Sequence, residues 1–495
     1  MDAHHPHDCC DYGCNRREFL AAAGGAAAAL SLLSVPSGAE PNEVVHTAHP
    51  THPARVRVAF LYPPSKTFSE NPDGWWSWPG NEFDAEGRQK TYTAKLREME
   101  TKHGLRLTIE DASIANEGDA KRFSEQVKTD SPEGVLLIVF SNYSPPHADL
   151  ILKEMEQSGV PVILFIGLGV KHGTINKYWQ PGVYFIQSLD NFEALEYGLR
   201  MIGAKKRLQQ SRILSITEAE ASSDSMDPFL GISVRVIPFQ RYAERFKGIT
   251  IDKRAQKFIR QWTKHAKELR GLTGEALENA ARAHFALEAL LEEEQGDGLT
   301  MNCLRRGMLK PCLSFATLNN RLVPAACEND LPAVFGQLLG QLLLGRPGFQ
   351  HNPCYETERN HYYASHCTCA TRLYGPEQKG RPYLLRRFAH TNEGSCAIQV
   401  FWNPGDAVTM IHYYPGEKPS LDVYEGRVVQ SHPMPPAAGC TTNVEIEITD
   451  RPDACSVRGH HNLLFCGDFA RQFRLFAQLY NLPLAEKDPG AGRPV

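Results

Sequence analysis

Apolar and polar positions along the first third of the chain follow the rhythm of an α/β fold. Four short apolar runs have the length of buried strands, and polar-faced helical stretches separate them: 56–61, 105–109, 134–140 and 160–166. Strands that are apolar throughout and alternate with helices indicate a parallel sheet covered on both faces. The pattern therefore predicts a Rossmann-like α/β domain over residues 55–188.

The pattern changes twice further along the chain. A second alternation of strands and helices occupies 189–387, with long charged helices at 251–270 and 275–294. Beyond residue 388, short runs bounded by Gly, Pro and Asp are typical of antiparallel strands. We therefore expect two Rossmann-like α/β domains followed by a small antiparallel β C-terminal domain over 388–495.

The turn after the first predicted strand lacks a glycine-rich phosphate loop. Tyr62 and two prolines occupy it, so the dinucleotide-binding fingerprint is absent. Ligands of open α/β sheets nevertheless bind beyond the carboxyl ends of the strands. We look for a binding site at those ends.

The N-terminus has the pattern of an export signal. Residues 15–20, Asn-Arg-Arg-Glu-Phe-Leu, lead into an Ala-rich stretch too short to anchor a protein in a membrane. The arginine pair resembles a twin-arginine signal, read by the twin-arginine export machinery. We expect a signal peptide over 1–39, a linker over 40–54, and export to the periplasm or another extracytoplasmic space. A plain helix with a chance arginine pair is the alternative.

Composition narrows the class of protein. The chain has 495 residues, with 42% hydrophobic and 22% charged, which is typical of a globular protein. The net charge of −4 shows no excess of basic residues of the kind that nucleic-acid-binding proteins carry. After the N-terminus no apolar run approaches the ~18 residues of a membrane span. Ten of the 13 cysteines lie at 303–466, so the two halves are built differently, and sequence alone cannot pair them.

Two acidic residues follow a predicted strand in the second region. Glu328 and Asp330 are separated by one residue, so both side chains point the same way from an extended backbone. Hard divalent cations prefer such oxygen ligands. The alternative is that Asp330 only caps the helix that starts at Leu331, since Asp is a preferred N-cap residue.

Histidines in two later segments are further candidate ligands. Adjacent histidines point to opposite sides of an extended segment, so only one of His460 and His461 is expected to face a site. His366 belongs to a His- and Cys-rich segment, 361–369, whose spacing matches no standard zinc site. A surface histidine pair and cysteines used for packing or disulfides are the alternatives.

Aromatic residues crowd a Gly/Pro-rich loop near the N-terminal region. The loop 75–79 reads Trp-Trp-Ser-Trp-Pro, and Trp76 is a candidate stacking platform for a sugar ring. Packing in a core or an interface explains such a loop equally well.

Two separated segments resemble the L-fucose isomerase / L-arabinose isomerase superfamily. One runs from Pro-Cys-Leu at 311–313 through the Glu-Asn-Asp turn into a Gly- and Leu-rich helix ending near 347. The other is His-Asn-Leu-Leu-Phe-Cys-Gly at 461–467. The resemblance covers the whole mature chain and implies a metal site, with Asp330 and His461 as ligands to Mn²⁺.

The resemblance implies an aldose–ketose isomerase that acts on a monosaccharide through an enediol. Glu328 would be the third metal ligand or the catalytic base alongside Asp330, and His366 would contact sugar hydroxyls. The family also implies a homo-oligomer, a trimer or a hexamer. One feature departs from it, because the stretch 296–303 lacks the family's upstream catalytic glutamate. Asp297 or Glu328 are the available replacements.

Two other functions fit the same residues. An exported carbohydrate-binding protein without catalysis is consistent with the missing glutamate and with the Trp76 loop. A zinc hydrolase would need three ligands and an open position, which His366, His461 and Asp330 supply. Convergence of three or more acidic or imidazole groups would favour the enzyme over the binding protein.

Overall fold

The first layer of the molecule is a five-stranded parallel sheet. The structure is a computed structural model and describes residues 51–70, 82–170, 175–304, 306, 309–388, 394–437 and 439–484. The sheet has the order β2-β1-β3-β4-β5. Its strands are β1 (Arg55–Leu61), β2 (Arg106–Ile109), β3 (Gly134–Val139), β4 (Val162–Gly167) and β5 (Val183–Ser188). The four predicted apolar runs coincide with β1 to β4, and β5 adds a fifth strand.

Helices cover both faces of this first sheet. They are α1 (Ser65–Ser69), α2 (Ala85–His103), α3 (Glu117–Asp130), α4 (Pro145–Ser158) and α5 (Phe192–Gln209). Asp84, Asn116 and Asn191 cap three of them, each accepting a hydrogen bond from a backbone N–H in the first turn. Residues of β1 and β3 are almost completely buried, which explains their continuous apolar sequence.

The second sheet also has five strands, in the order β11-β10-β6-β8-β7. All neighbours are parallel except the edge pair β7–β8. The strands are β6 (Arg212–Thr217), β7 (Ser223–Met226), β8 (Ser233–Pro238), β10 (Gly298–Met301) and β11 (Ala325–Cys327). The helices of this region are α6 (Phe239–Gly248), α7 (Lys253–His265), α8 (Gly274–Glu293), α9 (Cys312–Asn320) and α10 (Leu331–Leu344).

The C-terminal region forms a closed antiparallel barrel in the order β12-β13-β18-β17-β16-β19. Its strands are β12 (Phe349–Glu356), β13 (His361–His366), β16 (Ala407–Tyr414), β17 (Ser420–Ser431), β18 (Thr442–Ile448) and β19 (Asn462–Cys466). Because β12 and β13 precede residue 388, the predicted domain boundary there is wrong for the barrel. The error arises because a small sheet interrupts the barrel in sequence.

That small sheet joins strands from two regions. It consists of β9 (Leu269–Arg270), β14 (Tyr383–Arg387) and β15 (Cys396–Val400), in the order β15-β14-β9. The pairing of β14 with β9 is parallel, whereas β14 and β15 form an antiparallel pair. It therefore ties the barrel region to the segment between α7 and α8.

One hydrophobic core runs across the predicted domain boundaries. It contains Phe60 of the first sheet, Leu339 of α10 and Phe465 of the barrel. The last helix, α11 (Ala470–Leu479), returns to the first sheet, where the N–H of Gly182 donates to the carbonyl of Gln478 (2.9 Å). The three regions therefore pack against one another and share this core.

Within the described ranges, none of the helices is both long and apolar enough to cross a bilayer. The predicted signal peptide over 1–39 and most of the linker over 40–54 lie outside the described residues.

Candidate functional site

The candidate site is built around a tight turn between β11 and α10. Glu328 and Asn329 both adopt left-handed backbone conformations, with φ of 65° and 56°. A non-glycine residue in this region costs ~1–2 kcal/mol, so the surroundings must hold the turn in place. They do so through Asn329, whose N–H donates to the Met301 carbonyl (3.1 Å) and whose Oδ1 accepts from Ser215 Oγ (2.7 Å).

Asp330 uses its two carboxylate oxygens for two different tasks. Oδ1 accepts the N–H of Ala333 (2.7 Å) and so caps α10. Oδ2 accepts a hydrogen bond from Nδ1 of His461 (2.6 Å), a residue 131 positions later in the chain. The capping interpretation of Asp330 is therefore confirmed, and the cap leaves its second oxygen available for the contact with His461.

The imidazole of His461 is oriented by this hydrogen bond. An ionised carboxylate can only accept, so the Nδ1 atom carries the proton and the lone pair of the neutral ring lies on Nε2. Nε2 is buried, finds no hydrogen-bond partner in the described part of the chain, and lies 3.6 Å from Oε2 of Glu328. A carboxylate behind an imidazole in this way is the usual support of a histidine metal ligand.

Glu328 lies between two imidazoles. Nε2 of His366, the last residue of β13, is 3.5 Å from Oε1 of Glu328, while His461 faces Oε2. The two rings meet edge to face with centroids 5.5 Å apart. The carboxylate of Glu328 therefore faces two buried ring nitrogens that lack partners among the residues the structure describes.

The charges in this arrangement support each other. The neighbouring His366, together with His461 and His460, lowers the pKa of the Glu328 carboxyl against the opposing effect of burial. Burial disfavours the charged form of His366, but Glu328 and Cys327 outweigh it and raise its pKa to about 9. Glu328 is consequently an anion over the neutral pH range and His366 a donor.

His460 also reaches the site, contrary to expectation. Ligand atoms of Glu328, His460 and His461 all lie within 4.8 Å of one another, and the two histidine rings are 4.2 Å apart. The prediction that only one histidine can face the site is wrong because the pair forms a bend before β19 rather than an extended strand. Gly459, with φ of +95°, starts that bend.

His412 is a neighbour that the sequence reasoning missed. It lies on β16, and burial lowers the pKa of its imidazole, against the attraction of Asp330 and Asp422. Its Nδ1 is buried and unpartnered within the described residues. The signal was present in the sequence, since His412 interrupts an otherwise apolar stretch of the strand.

The proposed replacements for the missing glutamate are not equivalent. Asp297 lies at the amino end of β10, 4% exposed, and pairs with Arg207 (2.5 Å), so it is at the opposite strand end from the site. Glu328 is in the site. The structure also places Glu218 at the carboxyl end of β6, where it accepts a hydrogen bond from Asn302 (3.0 Å).

Some predicted site members are separated or cannot be placed. Asp330 contacts Nδ1 of His461, whereas His366 lies across Glu328 from Nε2 of the same ring. The three ligands of the zinc-hydrolase interpretation are therefore not gathered around one point. Trp76 falls outside the described residues.

The residues present fit a divalent cation. The supporting observation is Nε2 of His461, which is buried, has no hydrogen-bond partner among the described residues, and directs its lone pair toward the carboxylate of Glu328 at 3.6 Å. Glu328, His461 and His460 are the donors close enough to share an ion. Mixed carboxylate and imidazole donors suit Mn²⁺ as well as Zn²⁺.

Comparisons with known proteins do not assign a family. No family model and no curated protein matches the chain. Over 59% of its length the chain is similar to a two-component system response regulator/GGDEF domain protein, with 11% identity, 98% of that chain covered and a TM-score of 0.21. A XylFII–LytSN complex matches over 59%, with 9% identity, 92% covered and a TM-score of 0.16. Similarities at this level carry no argument about fold or function.

Proposed function

We propose that the protein is a metal-dependent aldose–ketose isomerase that acts on an open-chain monosaccharide. The observation that carries the proposal is the meeting of Glu328 and Asp330, at the carboxyl end of β11, with His366 and His461 of the barrel. Several convergent acidic and imidazole groups favour catalysis over simple carbohydrate binding. The resemblance to the fucose and arabinose isomerases supports the reaction type.

In this proposal the cation is held by Glu328 and His461, with His460 beside them. A bound divalent cation supplies Lewis-acid polarisation of a carbonyl group. Asp330 fixes the tautomer and the angle of His461 through the Nδ1 hydrogen bond. The sequence predicts Asp330 as a direct metal ligand. In this proposal Asp330 instead positions the ligand His461.

Glu328 and His366 take different roles in this proposal. The lowered pKa keeps the Glu328 carboxylate ionised, so one of its oxygens can hold the cation while the other takes the C2 proton and returns it to C1 by way of the enediol. Nε2 of His366, 3.5 Å from Oε1 of Glu328, is placed to donate a hydrogen bond to a sugar oxygen.

The test is turnover of a panel of aldoses and ketoses by the purified mature chain loaded with Mn²⁺. We expect conversion of at least one sugar, together with exchange of its C2 hydrogen in deuterated water. Glu328→Gln and His461→Asn should lose both signals. His265→Asn, which changes an exposed histidine at the end of α7, is the matched control and should keep them.

Two results would contradict the proposal. One is a protein that binds Mn²⁺ and a sugar but neither converts it nor exchanges its C2 hydrogen. The other is full activity in Glu328→Gln, which would place the chemistry elsewhere.

Export and assembly form a separate part of the proposal. We infer that the twin-arginine machinery exports the folded chain, that the mature protein starts at Glu40, and that it assembles as a trimer or hexamer. N-terminal sequencing of the protein recovered from the periplasm and light scattering of the mature protein test the two points. An uncleaved chain in the cytoplasm would contradict the first, and a monomer would contradict the second.

A further inference from the structure

Five cysteines gather beside the carboxylate–histidine site. They come from five segments of the second α/β region and the barrel region. Four are buried in one cluster, Cys303, Cys312, Cys327 and Cys367, and the partly buried Cys440 packs against it. In the part of the chain that the structure describes, all five are free thiols. Together they form what we name the thiol cluster.

The thiols of this cluster lie beside one another. The Sγ atoms of Cys327, the last residue of β11, and Cys367, which directly follows β13, lie within 4.8 Å of each other. Cys327 also neighbours Cys303, and Cys367 neighbours Cys312 and Cys440. Cys327 and Cys367 are therefore the centre of the cluster, with one further thiol on one side and two on the other.

His366 completes a metal-sized group with the two central thiols. Ligand atoms of Cys327, His366 and Cys367 all lie within 4.8 Å of one another, and all three residues are buried. Sγ of Cys367 is 3.8 Å from Nδ1 of His366, while Nε2 of the same ring faces Glu328. The imidazole thus presents one nitrogen to the thiol cluster and the other to the carboxylate site.

A buried cation lies next to the cluster. The ammonium of Lys310, 4% exposed, donates to the backbone carbonyl of Cys303 (2.8 Å). Three or four thiolates on a divalent ion carry net negative charge, which a nearby ammonium offsets in a low-dielectric interior.

We propose that Cys327, Cys367 and His366, with Cys303 or Cys440 as a fourth donor, form a closed binding site for one thiophilic metal ion. Sulfur and imidazole donors select Zn²⁺ or Cu⁺ over Mn²⁺. Tetrahedral sites with four protein ligands are structural. The ion would join the carboxyl end of β11 to the end of β13, and so fix His366 toward Glu328.

The test begins with the metal content of the mature protein, isolated without added metal under reducing conditions. X-ray absorption at the zinc and copper edges should find about one ion per chain with sulfur neighbours, at about 2.3 Å for zinc. Either element on sulfur supports the site, and the edge tells which one it is. Co²⁺ added to the metal-free protein should give a thiolate-to-cobalt charge-transfer band.

Variants separate this site from the carboxylate site. Cys327→Ser and Cys367→Ser should lose the cobalt band. If these core variants fail to fold, Cys303→Ser and Cys440→Ser replace them: only one of the two should weaken the band, and it identifies the fourth donor, whereas an unchanged band in both would contradict the site. Cys369→Ser is the matched control, because Cys369 is equally buried but packs in another cluster. Asp330→Asn should keep the band, since this site does not depend on the proposed function.

Three outcomes would overturn the proposal. The first is a disulfide at Cys327 or Cys367 in the mature protein, found by peptide mass mapping. The second is cobalt binding without a thiolate band. The third is equal loss of the band in Cys369→Ser, which would point to general disturbance of the core rather than to ligands.

Discussion

Asp330→Asn should uncouple the two tasks of this side chain. An asparagine caps a helix about as well as an aspartate, so Oδ1 can still accept the N–H of Ala333. The amide nitrogen then faces Nδ1 of His461, and it can only donate. His461 must therefore accept at Nδ1 and move its own proton to Nε2, the atom that faces Glu328.

The magnitude follows from the two contacts. Loss of a carboxylate behind a ligating histidine lowers metal affinity ~10–100-fold, which is ~1.4–2.8 kcal/mol. Without metal, a charged hydrogen bond worth ~1.5–3 kcal/mol is replaced by a neutral one worth ~0.5–1.5 kcal/mol. We therefore expect the free energy of unfolding to fall by ~1 kcal/mol, and more in Asp330→Ala, which also loses the cap at a further ~1 kcal/mol.

The assay combines Mn²⁺ titration calorimetry, urea unfolding in a chelator, and nitrogen NMR of His461. The wild type should show a proton on Nδ1, and the variant a proton on Nε2. Unchanged metal affinity with a moved proton would refute the reasoning about the site. Equal stability loss in the Asn and Ala variants would refute the reasoning about the cap.

Two further predictions concern the surroundings of the site. Gly459→Ala should disturb the bend at His460 and His461, because a Cβ at position 459 would lie 2.7 Å from Nδ1 of His412. We therefore expect a lower affinity for Mn²⁺. Titration calorimetry that finds wild-type affinity would contradict this. Glu445 is buried on the barrel, and hydrogen bonds from its histidine neighbours outweigh burial and hold its pKa at about 2. Its stabilising effect is complete above the unfolded value of ~4.3 and is lost as the pH falls toward 2. Glu445→Gln should therefore flatten the loss of unfolding free energy between those pH values, and a parallel pH profile would contradict this.

The sequence was informative where residues of one element act together. Continuous apolar runs located β1, β3 and β4, because strands buried on both faces carry no polar alternation. The edge strand β2 alternates polar and apolar residues and is partly exposed. For Asp330 the sequence leaves two alternatives, a metal-site carboxylate or a helix cap. The cap is confirmed, and because a carboxylate has two oxygens, the second one is still available to contact His461.

Other features depended on contacts that a linear pattern does not contain. The barrel starts at β12, yet β14 and β15 separate its first two strands from the other four, so the change of pattern near residue 388 marked the wrong place. The thiol cluster joins residues as far apart as Cys303 and Cys440, and their spacing matches no standard motif. The sequence predicts that only one of His460 and His461 faces the site, because it gives no sign that the extended segment bends at Gly459.

The return of α11 to the first sheet sets the order in which the chain can finish folding. Tyr197 of α5 donates to the carbonyl of Gln472 (2.8 Å), and Gln478 donates to the carbonyl of Val183 (2.9 Å). Strand β5 and helix α5 are thus covered by a helix that lies almost 300 residues later in the chain. Their native packing is complete only once α11 has been synthesised, so a nascent chain stalled before residue 470 would remain open to proteases along β5.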